Sequence, residues 1–537
     1  MGRVANGVVF TKNWVVELML DCCGYLSHTD LATKLVIEPA CGQGAFLFPI
    51  VSRLLDSALK HGHEFSELAS SIRAFELNKD DLDVCHKRLY GLLREVGVGE
   101  EVVADLLDAW LVHSDYLLHN TEQVADYVVG NPPYIRGTEI DWELRQEYAK
   151  SCKTMTAGTD IYVGFIEAGL RSLKPNGVLS FICADRWMHN AYGKRLRKMV
   201  TQGFSVDIVL LMHGVDAFED KVAAYPAITQ IKNAQQGETA FVTMRESFSE
   251  DSLPELHDWL HSDSHSPFEN STLTGYRLHT WCKTDEAWPL ASPKVISLLE
   301  ELNARYHPLQ NDATKTRVGI GIATGRDDVF VIEDPSLVED CLLLPLVTSR
   351  QTRSGKIERQ GVWLFNPWDE AGNLIDIDRY PLAKSYLADH EYSLRTRHIA
   401  MKSGEHGWYR TIDKVYPGLI DKPKLLIQDM KSSIQPVYDR GEYYPHHNLY
   451  WITSEQWDLE ALGGLLMSET VRMIVAAYCV KMRGGTLRLQ AQFLRKIRLP
   501  DPGSIDDSLQ DALIDAFRRN DREKASEAAL MAFKLER

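Results

Sequence analysis

The residues best suited to chemistry are the Asn-Pro-Pro-Tyr tetrapeptide at residues 131–134, which follows the apolar run at 128–130. Each proline removes a backbone donor and restricts the loop, so carbonyl oxygens and the Asn131 side-chain oxygen can face one substrate. An amino group that donates to Asn131 and to the Pro132 carbonyl gains electron density on its nitrogen, and Tyr134 can stack on the attached heterocycle. The segment therefore predicts chemistry on an exocyclic NH2 group.

The elements that must position this tetrapeptide are strands and helices in alternation over the first 245 residues. This pattern is typical of an α/β fold, with a mostly parallel sheet covered by helices on both faces. We predict strands at residues 35–38, 72–76, 110–113, 127–130, 178–183, 206–211 and 227–232, and helices at 47–59, 80–93 and 161–173. Ligands of such sheets bind beyond the carboxyl ends of the strands, where the polar motifs of this chain fall.

Three further polar motifs follow predicted strands. In the first, at 38–46, Gly42 and Gly44 let the backbone pass close to a ligand, and the following helix offers free N–H groups to a carboxylate or a phosphate. In the second, Glu76 can accept hydrogen bonds from two ribose hydroxyls. In the third, Asp115 can accept a hydrogen bond from an adenine amino group. Each motif alone is a weak signal. Their order after successive strands indicates a nucleoside ligand much more specifically.

Length and composition limit the number of domains and the class of protein. A chain of 537 residues is longer than one core requires, so we expect two large domains. The formal charge of −16 argues against indiscriminate binding of polyanions, although it leaves room for one basic cleft. The nine cysteines contain no CxxC pair, so neither a disulfide framework nor a metal site is indicated. No run approaches the roughly 18 apolar residues of a membrane span, and we expect a cytoplasmic protein.

Taken in order, the motifs resemble those of gamma-class N6-adenine DNA methyltransferases of Type II restriction-modification systems. The resemblance covers the first 245 residues or so. Where that family has aromatic-Thr-Pro, this chain has aromatic-Thr-Lys at residues 10–12. The matching segments are Phe10-Thr11-Lys12, residues 38–46, Glu76, Asp115-Tyr116, residues 131–134, Asp160-Ile161-Tyr162, Phe165 and Phe218.

The resemblance implies a class I S-adenosylmethionine-dependent fold, Rossmann-like, with a seven-stranded, mostly parallel sheet. It also implies S-adenosylmethionine as the cofactor and a set of residues that bind it. The first five of these would hold the methionine moiety or let it approach closely, the sixth would bind the ribose, and the last three would contact the adenine ring. They are Thr11, Glu38, Ala40, Gly42, Gly44, Glu76, Asp115, Tyr116 and Phe165.

For the target base, the resemblance implies that the Asn131 side chain and the Pro132 carbonyl face the amino group, while Tyr134 and Phe218 sandwich the ring. Inside a duplex the N6 amino group is stacked and paired, so the base must be flipped out before reaction. Direct in-line displacement needs no nucleophilic cysteine. Cys41, in the glycine motif, is therefore interpreted as a small packing residue.

Residues 246–537 are predicted to form a linker and an α+β target-recognition domain, because the alternation stops and the serine-rich stretches 247–252 and 262–266 follow. The segments 318–325, 447–450 and 499–502 are similar to parts of the family's recognition domain, and 506–537 is predicted to contain one or two amphipathic helices. Basic residues of this domain are candidates for DNA contacts. They are Arg350, Arg353, Lys356, Arg359, Arg395, Arg397, Lys402, Lys481, Arg483 and Arg488.

Several alternatives stay open. A protein-glutamine methyltransferase would grip a carboxamide NH2 in the same way, and an RNA methyltransferase would use the same pocket for adenine or guanine. A catalytically inactive DNA-binding specificity protein would keep the fold alone. Asp421 and the 429–431 segment resemble a nuclease metal motif only superficially, because no further acids converge there. The expected partners are double-stranded DNA and a separate restriction endonuclease. We expect the enzyme to be a monomer that does not associate with a membrane.

Overall fold

The protein is presented as a computed structural model that describes residues 9–119, 123–156, 158–219, 225–279, 281–358, 361–401, 407–431, 433–479 and 487–535. The chain divides into two compact units, Met1–Pro293 and Lys294–Arg537. The division lies later than residue 245, where the sequence suggested a boundary. Within the described ranges, no helix combines the length and the apolar character that crossing a bilayer requires.

The first unit is organised around one ten-stranded mixed sheet with the strand order β3-β2-β1-β4-β5-β7-β6-β8-β10-β9. Each of the seven predicted strands is present at its predicted place, and β1 to β5 are parallel to their neighbours except where β5 meets the antiparallel β7. The strands are β1 Val36–Glu38, β2 Ile72–Glu76, β3 Leu111–His113, β4 Ala125–Gly130, β5 Leu173–Ala184, β6 Ser205–Leu211, β7 Pro226–Lys232, β8 Thr239–Met244, β9 Phe268–Glu269 and β10 Leu273–Leu278.

The last three strands show that two predictions were wrong, namely a sheet of seven strands and a linker after residue 245. Strand β8 pairs in parallel with β6, and β10 pairs antiparallel with β8, so the sheet continues past residue 245. A helix between them packs Trp259 against the sheet, where a Cβ on Gly275 would lie 3.0 Å from the indole ring. The serine-rich stretches lie on either side of this helix. Their polarity reflects turns around a small apolar core instead of a connection between domains.

The helices of the first unit cover the sheet. The predicted helices at 47–59, 80–93 and 161–173 are confirmed as α2, α3 and α6. Helix α3 begins where the Asn78 side chain accepts a hydrogen bond from the Asp80 N–H at 3.0 Å, a common N-terminal cap. The helices are α1 Asn13–Cys22, α2 Leu47–His61, α3 Lys79–Glu95, α4 Glu100–Trp110, α5 Trp142–Ser151, α6 Ile161–Ser172, α7 Lys194–Gly203 and α8 Leu253–His261.

The second unit has an α+β composition with two four-stranded sheets, ordered β12-β20-β16-β18 and β13-β15-β14-β19. One or two C-terminal amphipathic helices were predicted in residues 506–537, and the structure has two there, α16 and α17. The strands are β11 His307–Pro308, β12 Arg317–Ile320, β13 Val331–Ile332, β14 Leu343–Val347, β15 Trp363–Phe365, β16 Lys424–Gln428, β17 Met430–Lys431, β18 Val437–Asp439, β19 Tyr444–Pro445, β20 Leu449–Thr453, β21 Leu487–Arg488 and β22 Arg498–Leu499. The helices are α9 Pro293–Arg305, α10 Asp327–Phe330, α11 Pro381–Arg395, α12 His398–Met401, α13 Leu459–Met467, α14 Glu469–Ala476, α15 Ala491–Leu494, α16 Asp507–Arg519 and α17 Arg522–Ala532.

One ion pair is fully enclosed in the second unit. Lys424 on β16 and Asp439 on β18 lie opposite each other, and their side chains are 0% and 1% exposed with Nζ 2.8 Å from Oδ2. Lys424 Nζ also donates to the carbonyls of Leu419, Ile420 and Lys422. Both charges are therefore compensated inside the unit, as buried charges must be.

Candidate active site

A cavity of about 310 Å³ opens at the carboxyl ends of β1, β2, β3 and β4 in the first unit. Its volume lies at the lower end of the range for small-molecule sites. Most of the predicted cofactor residues line it, together with Asn131. Gly44, Pro132, Tyr134 and Phe218 are not among its wall residues. The predicted residues in the wall are Thr11, Glu38, Ala40, Gly42, Glu76, Asp115, Tyr116, Phe165 and Asn131.

The glycine motif between β1 and α2 forms one wall of the cavity. Gly42 and Gly44 both have positive φ, at 51° and 96°, a conformation that favours glycine. The two glycines differ in surroundings: a Cβ on Gly44 would lie 2.6 Å from Cε2 of Phe48, whereas nothing lies within 4 Å of a Cβ on Gly42. Gly44 is thus required for packing the motif against its own helix. Gly42 is the glycine that faces the cavity.

Glu38, the last residue of β1, is buried with a relative exposure of 2%. Its Oε2 has no hydrogen-bond partner within the described part of the chain. Burial, with the neighbouring Cys85 and Glu76, raises the pKa of the Glu38 carboxyl well above its usual range. A buried carboxylate without a partner is costly, so this position is suited to a ligand that brings hydrogen-bond donors and positive charge.

Glu76, at the end of β2, is held in a fixed orientation by two backbone donors. Its Oε2 accepts from the Gly42 N–H at 2.8 Å and its Oε1 accepts from the Asn78 N–H at 2.7 Å. A carboxylate has about four acceptor positions, so both oxygens can still accept from a ligand. The neighbouring glycine motif and the start of α3 therefore orient this acid toward the cavity.

The third acid, Asp115, is also fixed on both oxygens. Oδ1 accepts from the Leu117 N–H at 2.9 Å, and Oδ2 accepts from the Tyr148 hydroxyl at 2.6 Å. Burial and the Asp115 charge raise the pKa of Tyr148 above its usual range, so this hydroxyl stays a donor. The sequence reasoning missed Tyr148, which comes from α5 and belongs to no motif.

The rings of Tyr116 and Phe165 stack nearby, with centroids 5.8 Å apart.

The amide of Asn131 has a defined orientation at the cavity edge. Nδ2 donates to the Val9 carbonyl at 3.0 Å and to Thr11 Oγ1 at 3.1 Å. The Val9 carbonyl can only accept, which requires the nitrogen of the amide on that side. Oδ1 is therefore on the other side, where it is buried and, among the described residues, has no partner. An unpaired acceptor at this position is what the tetrapeptide predicted.

The segment around Thr11 is joined to the segment around Phe218. Thr11 and Phe218 form an isolated antiparallel bridge, with the Glu219 N–H donating to the Phe10 carbonyl at 2.9 Å. The Lys12 N–H donates to the Ala217 carbonyl at 3.1 Å. Two motifs that lie far apart in sequence are thus brought together beside Asn131.

The rings of Tyr134 and Phe218 meet edge to face, with centroids 6.0 Å apart and an interplanar angle of 81°. The parallel pair that a sandwiched base requires is not formed. Aromatic pairs prefer such edge-to-face contacts when nothing lies between them, because the ring edge is positive and the face negative. Tyr134 is further held by its hydroxyl, which donates to the Ile182 carbonyl at 3.4 Å.

In the second unit, three predicted DNA-contact residues share one surface loop after β14. Arg350, Arg353 and Lys356 are all exposed. The loop is anchored from β16 by Gln428, whose Nε2 donates to the Ser349 carbonyl at 3.0 Å and to Thr352 Oγ1 at 2.8 Å. The loop thus presents three cations from a fixed base.

The remaining basic candidates differ in availability. Arg397 is half-buried and donates to the carbonyls of Thr324, Trp408 and Arg410, so it connects chain segments and does not lie open to a phosphate. Arg395 is exposed, with Nε donating to Glu391 at 2.6 Å. Arg488 lies on β21, with Nε 3.6 Å from Asp429 Oδ2. Four candidates lie outside the described residues, namely Arg359, Lys402, Lys481 and Arg483.

Comparison with known protein families gives one match within the chain. Residues 73–218 match the family described as Eco57I restriction-modification methylase. Among curated proteins, the chain is 36% identical to Type II methyltransferase M.BstVI of Geobacillus stearothermophilus, over 95% of this chain and 92% of that protein. It is 38% identical to Type II methyltransferase M.PaeR7I of Pseudomonas aeruginosa, over 99% of this chain and 92% of that protein.

Two solved structures share the fold at low sequence identity. One is a Type IIL restriction-modification enzyme, MmeI, in complex with DNA, with a TM-score of 0.64 and 12% identity over 98% of this chain and 74% of that chain. The other is a nuclease-deletion mutant of the Type ISP enzyme LlaGI with a DNA substrate mimic, with a TM-score of 0.53 and 13% identity over 95% of this chain and 54% of that chain.

Proposed function

The chain belongs to the Type II methyltransferases of restriction-modification systems, and on that premise we propose that it methylates N6 of adenine at a specific site in double-stranded DNA. Members of this family act on DNA, and the methyl donor is S-adenosylmethionine. The observation that carries the choice of an amino group is the Asn131 amide, whose Oδ1 lies at the edge of the cavity with no partner in the described part of the chain. An acceptor there selects a substrate atom that bears hydrogens.

The cavity residues fit S-adenosylmethionine in three parts. Glu38 has a buried oxygen that has no partner among the described residues, and the α-ammonium of the methionine moiety would donate to it. Thr11 and Ala40 belong to the same wall. The fixed carboxylate of Glu76 would accept from the ribose hydroxyls. At the other end, the aromatic cluster would hold the adenine ring. That cluster consists of Asp115, Tyr116, Tyr148 and Phe165.

When bound, S-adenosylmethionine supplies an electrophilic methyl group on a sulfonium. Asn131 Oδ1 and the Pro132 carbonyl accept the two hydrogens of the adenine amino group, which draws the nitrogen toward tetrahedral geometry and exposes its lone pair. No strong base is needed before attack, because the proton leaves after the nitrogen has gained the methyl group. The chain therefore contributes orientation and hydrogen-bond acceptors to the reaction, and no covalent intermediate with a side chain.

The flipped base is proposed to displace the edge-to-face contact between Tyr134 and Phe218 and to stack on these rings. Unstacking a base from the duplex costs on the order of a few kcal/mol, and base-aromatic stacking offsets about 1–3 kcal/mol per ring. Separation of the two rings is therefore part of the proposed substrate binding.

The second unit is proposed to recognise the DNA sequence. Exposed cations on it are suited to phosphates and base edges, and we propose that the DNA contacts are Arg350, Arg353, Lys356, Arg395 and Arg488. Arg397 is not among them, because its guanidinium already donates to backbone carbonyls. We propose a monomeric enzyme that protects DNA against a separate endonuclease of the same system.

The test is transfer of labelled methyl from S-adenosylmethionine to unmethylated genomic DNA, with cellular RNA and a protein extract in parallel, followed by nucleoside and amino-acid analysis. We expect N6-methyladenine in DNA only, at one sequence motif. The variant Asn131→Ala should abolish the label, because it removes the Oδ1 acceptor for the base. Binding of S-adenosylhomocysteine should change little. Label in cytosine, in RNA or in glutamine would refute the proposed substrate, and loss of cofactor binding in the variant would refute the role of Asn131.

A further inference from the structure

A cluster of one acid and two histidines lies in the second unit, and none of the three side chains has a role in the proposed methyl transfer. Asp327 is the first residue of α10, and His446 and His447 immediately follow β19. His446 is buried, whereas Asp327 and His447 are exposed. One ligand atom from each residue lies within 4.8 Å of the other two.

Two equal distances within the cluster meet at one atom. His446 Nε2 is 3.1 Å from Asp327 Oδ2 and also 3.1 Å from His447 Nδ1. One proton on Nε2 can be shared between these two acceptors, and a metal ion in place of that proton would bind all three atoms. Donor atoms of a tetrahedral metal site lie about 3.3 Å apart when the bonds are about 2.0 to 2.1 Å long. The observed spacing is close to that value for both pairs.

From this geometry we propose that Asp327, His446 and His447 bind a divalent transition-metal ion, with zinc as the ion best suited to them. Two imidazoles and one carboxylate are typical ligands of zinc, and three protein ligands leave a fourth position for water. Calcium and magnesium prefer sites made of oxygen atoms alone. The exposed side of the cluster gives the ion access from solvent.

The ion would fix the start of one DNA-facing loop. The residue after His447, Asn448, accepts from the Ser349 N–H at 3.2 Å through Oδ1, and the His446 N–H donates to the Val347 carbonyl at 2.9 Å. The exposed loop with Arg350 begins there. A metal that holds residues 446 and 447 against α10 therefore stabilises the base of that loop.

A second group, Glu238, His265 and His279, meets the same distance condition in the first unit. Its histidine side chains are 70% and 68% exposed, and Glu238 Oε1 lies 3.6 Å from Arg277 Nε. A cation already faces this carboxylate. The group therefore serves as a control and carries no proposal.

The test uses the full-length chain, stripped of metal with EDTA and titrated separately with Zn²⁺ and with Co²⁺ as its spectroscopic substitute. We expect one zinc equivalent to be lost in Asp327→Asn and in His447→Gln, with affinity falling by more than the roughly 10- to 100-fold that loss of an outer-shell partner causes. Bound Co²⁺ should show visible d–d bands without a thiolate charge-transfer band. Zinc should raise the Tm of the unsubstituted chain and of the matched control Glu238→Gln.

Equal zinc content and an equal Tm shift in the unsubstituted chain and in His447→Gln would overturn the proposal, as would no zinc binding at all. A thiolate band would assign the ion to cysteine and would overturn it as well. If Asp327→Asn fails to fold by circular dichroism, His447→Gln still decides the question, because its side chain lies at the surface. None of these measurements depends on methyl transfer.

Discussion

Asn131 donates from Nδ2 to the Thr11 hydroxyl at 3.1 Å, and this bond together with the Val9 carbonyl determines which side of the amide faces the substrate. Removal of the Thr11 acceptor leaves one of two constraints on the amide. The orientation of Asn131 is therefore a property of the N-terminal segment as well as of its own loop.

We expect Thr11→Val to lower the single-turnover methylation rate about five- to tenfold, since a neutral hydrogen bond contributes about 1 kcal/mol. Thr11→Ser keeps the hydroxyl and is the matched control. The rate should be measured at saturating cofactor, to separate orientation from binding. If valine and serine variants react equally fast, the Thr11 bond has no role in orienting the amide.

Glu76→Ala should weaken binding of S-adenosylhomocysteine about 10- to 100-fold, because hydrogen bonds to a charged group contribute about 1.5–3 kcal/mol each. Isothermal titration calorimetry gives the affinity directly. Glu76→Gln keeps the shape and one acceptor oxygen, so it should fall between the alanine variant and the unsubstituted chain. Unchanged affinity in Glu76→Ala would place the ribose elsewhere.

Glu38 predicts an unusual pH dependence of stability. Its pKa is raised in the folded chain. The contribution of Glu38 to folding stability is therefore fully present below its ordinary pKa of 4.5 and is lost as pH rises toward the folded pKa. Without cofactor, Glu38→Gln should therefore raise Tm at neutral pH, by roughly 2 °C or more, and the difference from the unsubstituted chain should shrink toward pH 4.5.

Bound cofactor should reverse the order of the two Tm values, so that the unsubstituted chain melts above Glu38→Gln. In the proposed binding mode S-adenosylhomocysteine brings an ammonium group to Glu38, so it should raise the Tm of the unsubstituted chain more than that of Glu38→Gln. Thermal scans from pH 4 to 8, with and without ligand, measure both effects. A lower Tm for the variant at every pH without ligand would contradict the assignment of an uncompensated buried carboxyl.

Lys424→Met should lower the free energy of unfolding of the second unit by about 3–5 kcal/mol, because it leaves Asp439 charged and unpaired in the interior. Urea unfolding at pH 7 measures the loss. Adding Asp439→Asn removes the charge and keeps an oxygen for the Gly441 and Glu442 N–H groups, so the double variant should recover part of the stability. Lys422→Met, at an exposed position two residues away, should have little effect.

The sequence predicted the first seven strands because each is a short, largely apolar run, and four of these runs end at a polar motif. The run at 72–76 matches β2 at both ends. The three outer strands were missed because serines dominate the turns between them. Glu38, Glu76 and Asn131 could be found from position alone, since each lies at the end of a strand. These predictions depend on local pattern only.

Other features depend on tertiary contacts that no local pattern encodes. Tyr148 reaches Asp115 only because α5 packs over the cavity, and nothing in its own segment indicates this. The charge of Arg397 suggested a DNA contact, yet the carbonyls that occupy it come from separate segments. The edge-to-face contact of Phe218 with Tyr134 likewise joins two motifs that lie far apart in the sequence.

In the proposed binding mode, the bridge between Thr11 and Phe218 links the cofactor position and the base position thermodynamically. The hydrogen bonds at Phe10, Lys12, Ala217 and Glu219 oblige these segments to move together. A cofactor that selects one position of the Thr11 segment thereby biases Phe218, and a base that displaces Phe218 biases Thr11 in return. Such coupling is reciprocal, so each ligand changes the affinity of the other by the same factor, whichever binds first.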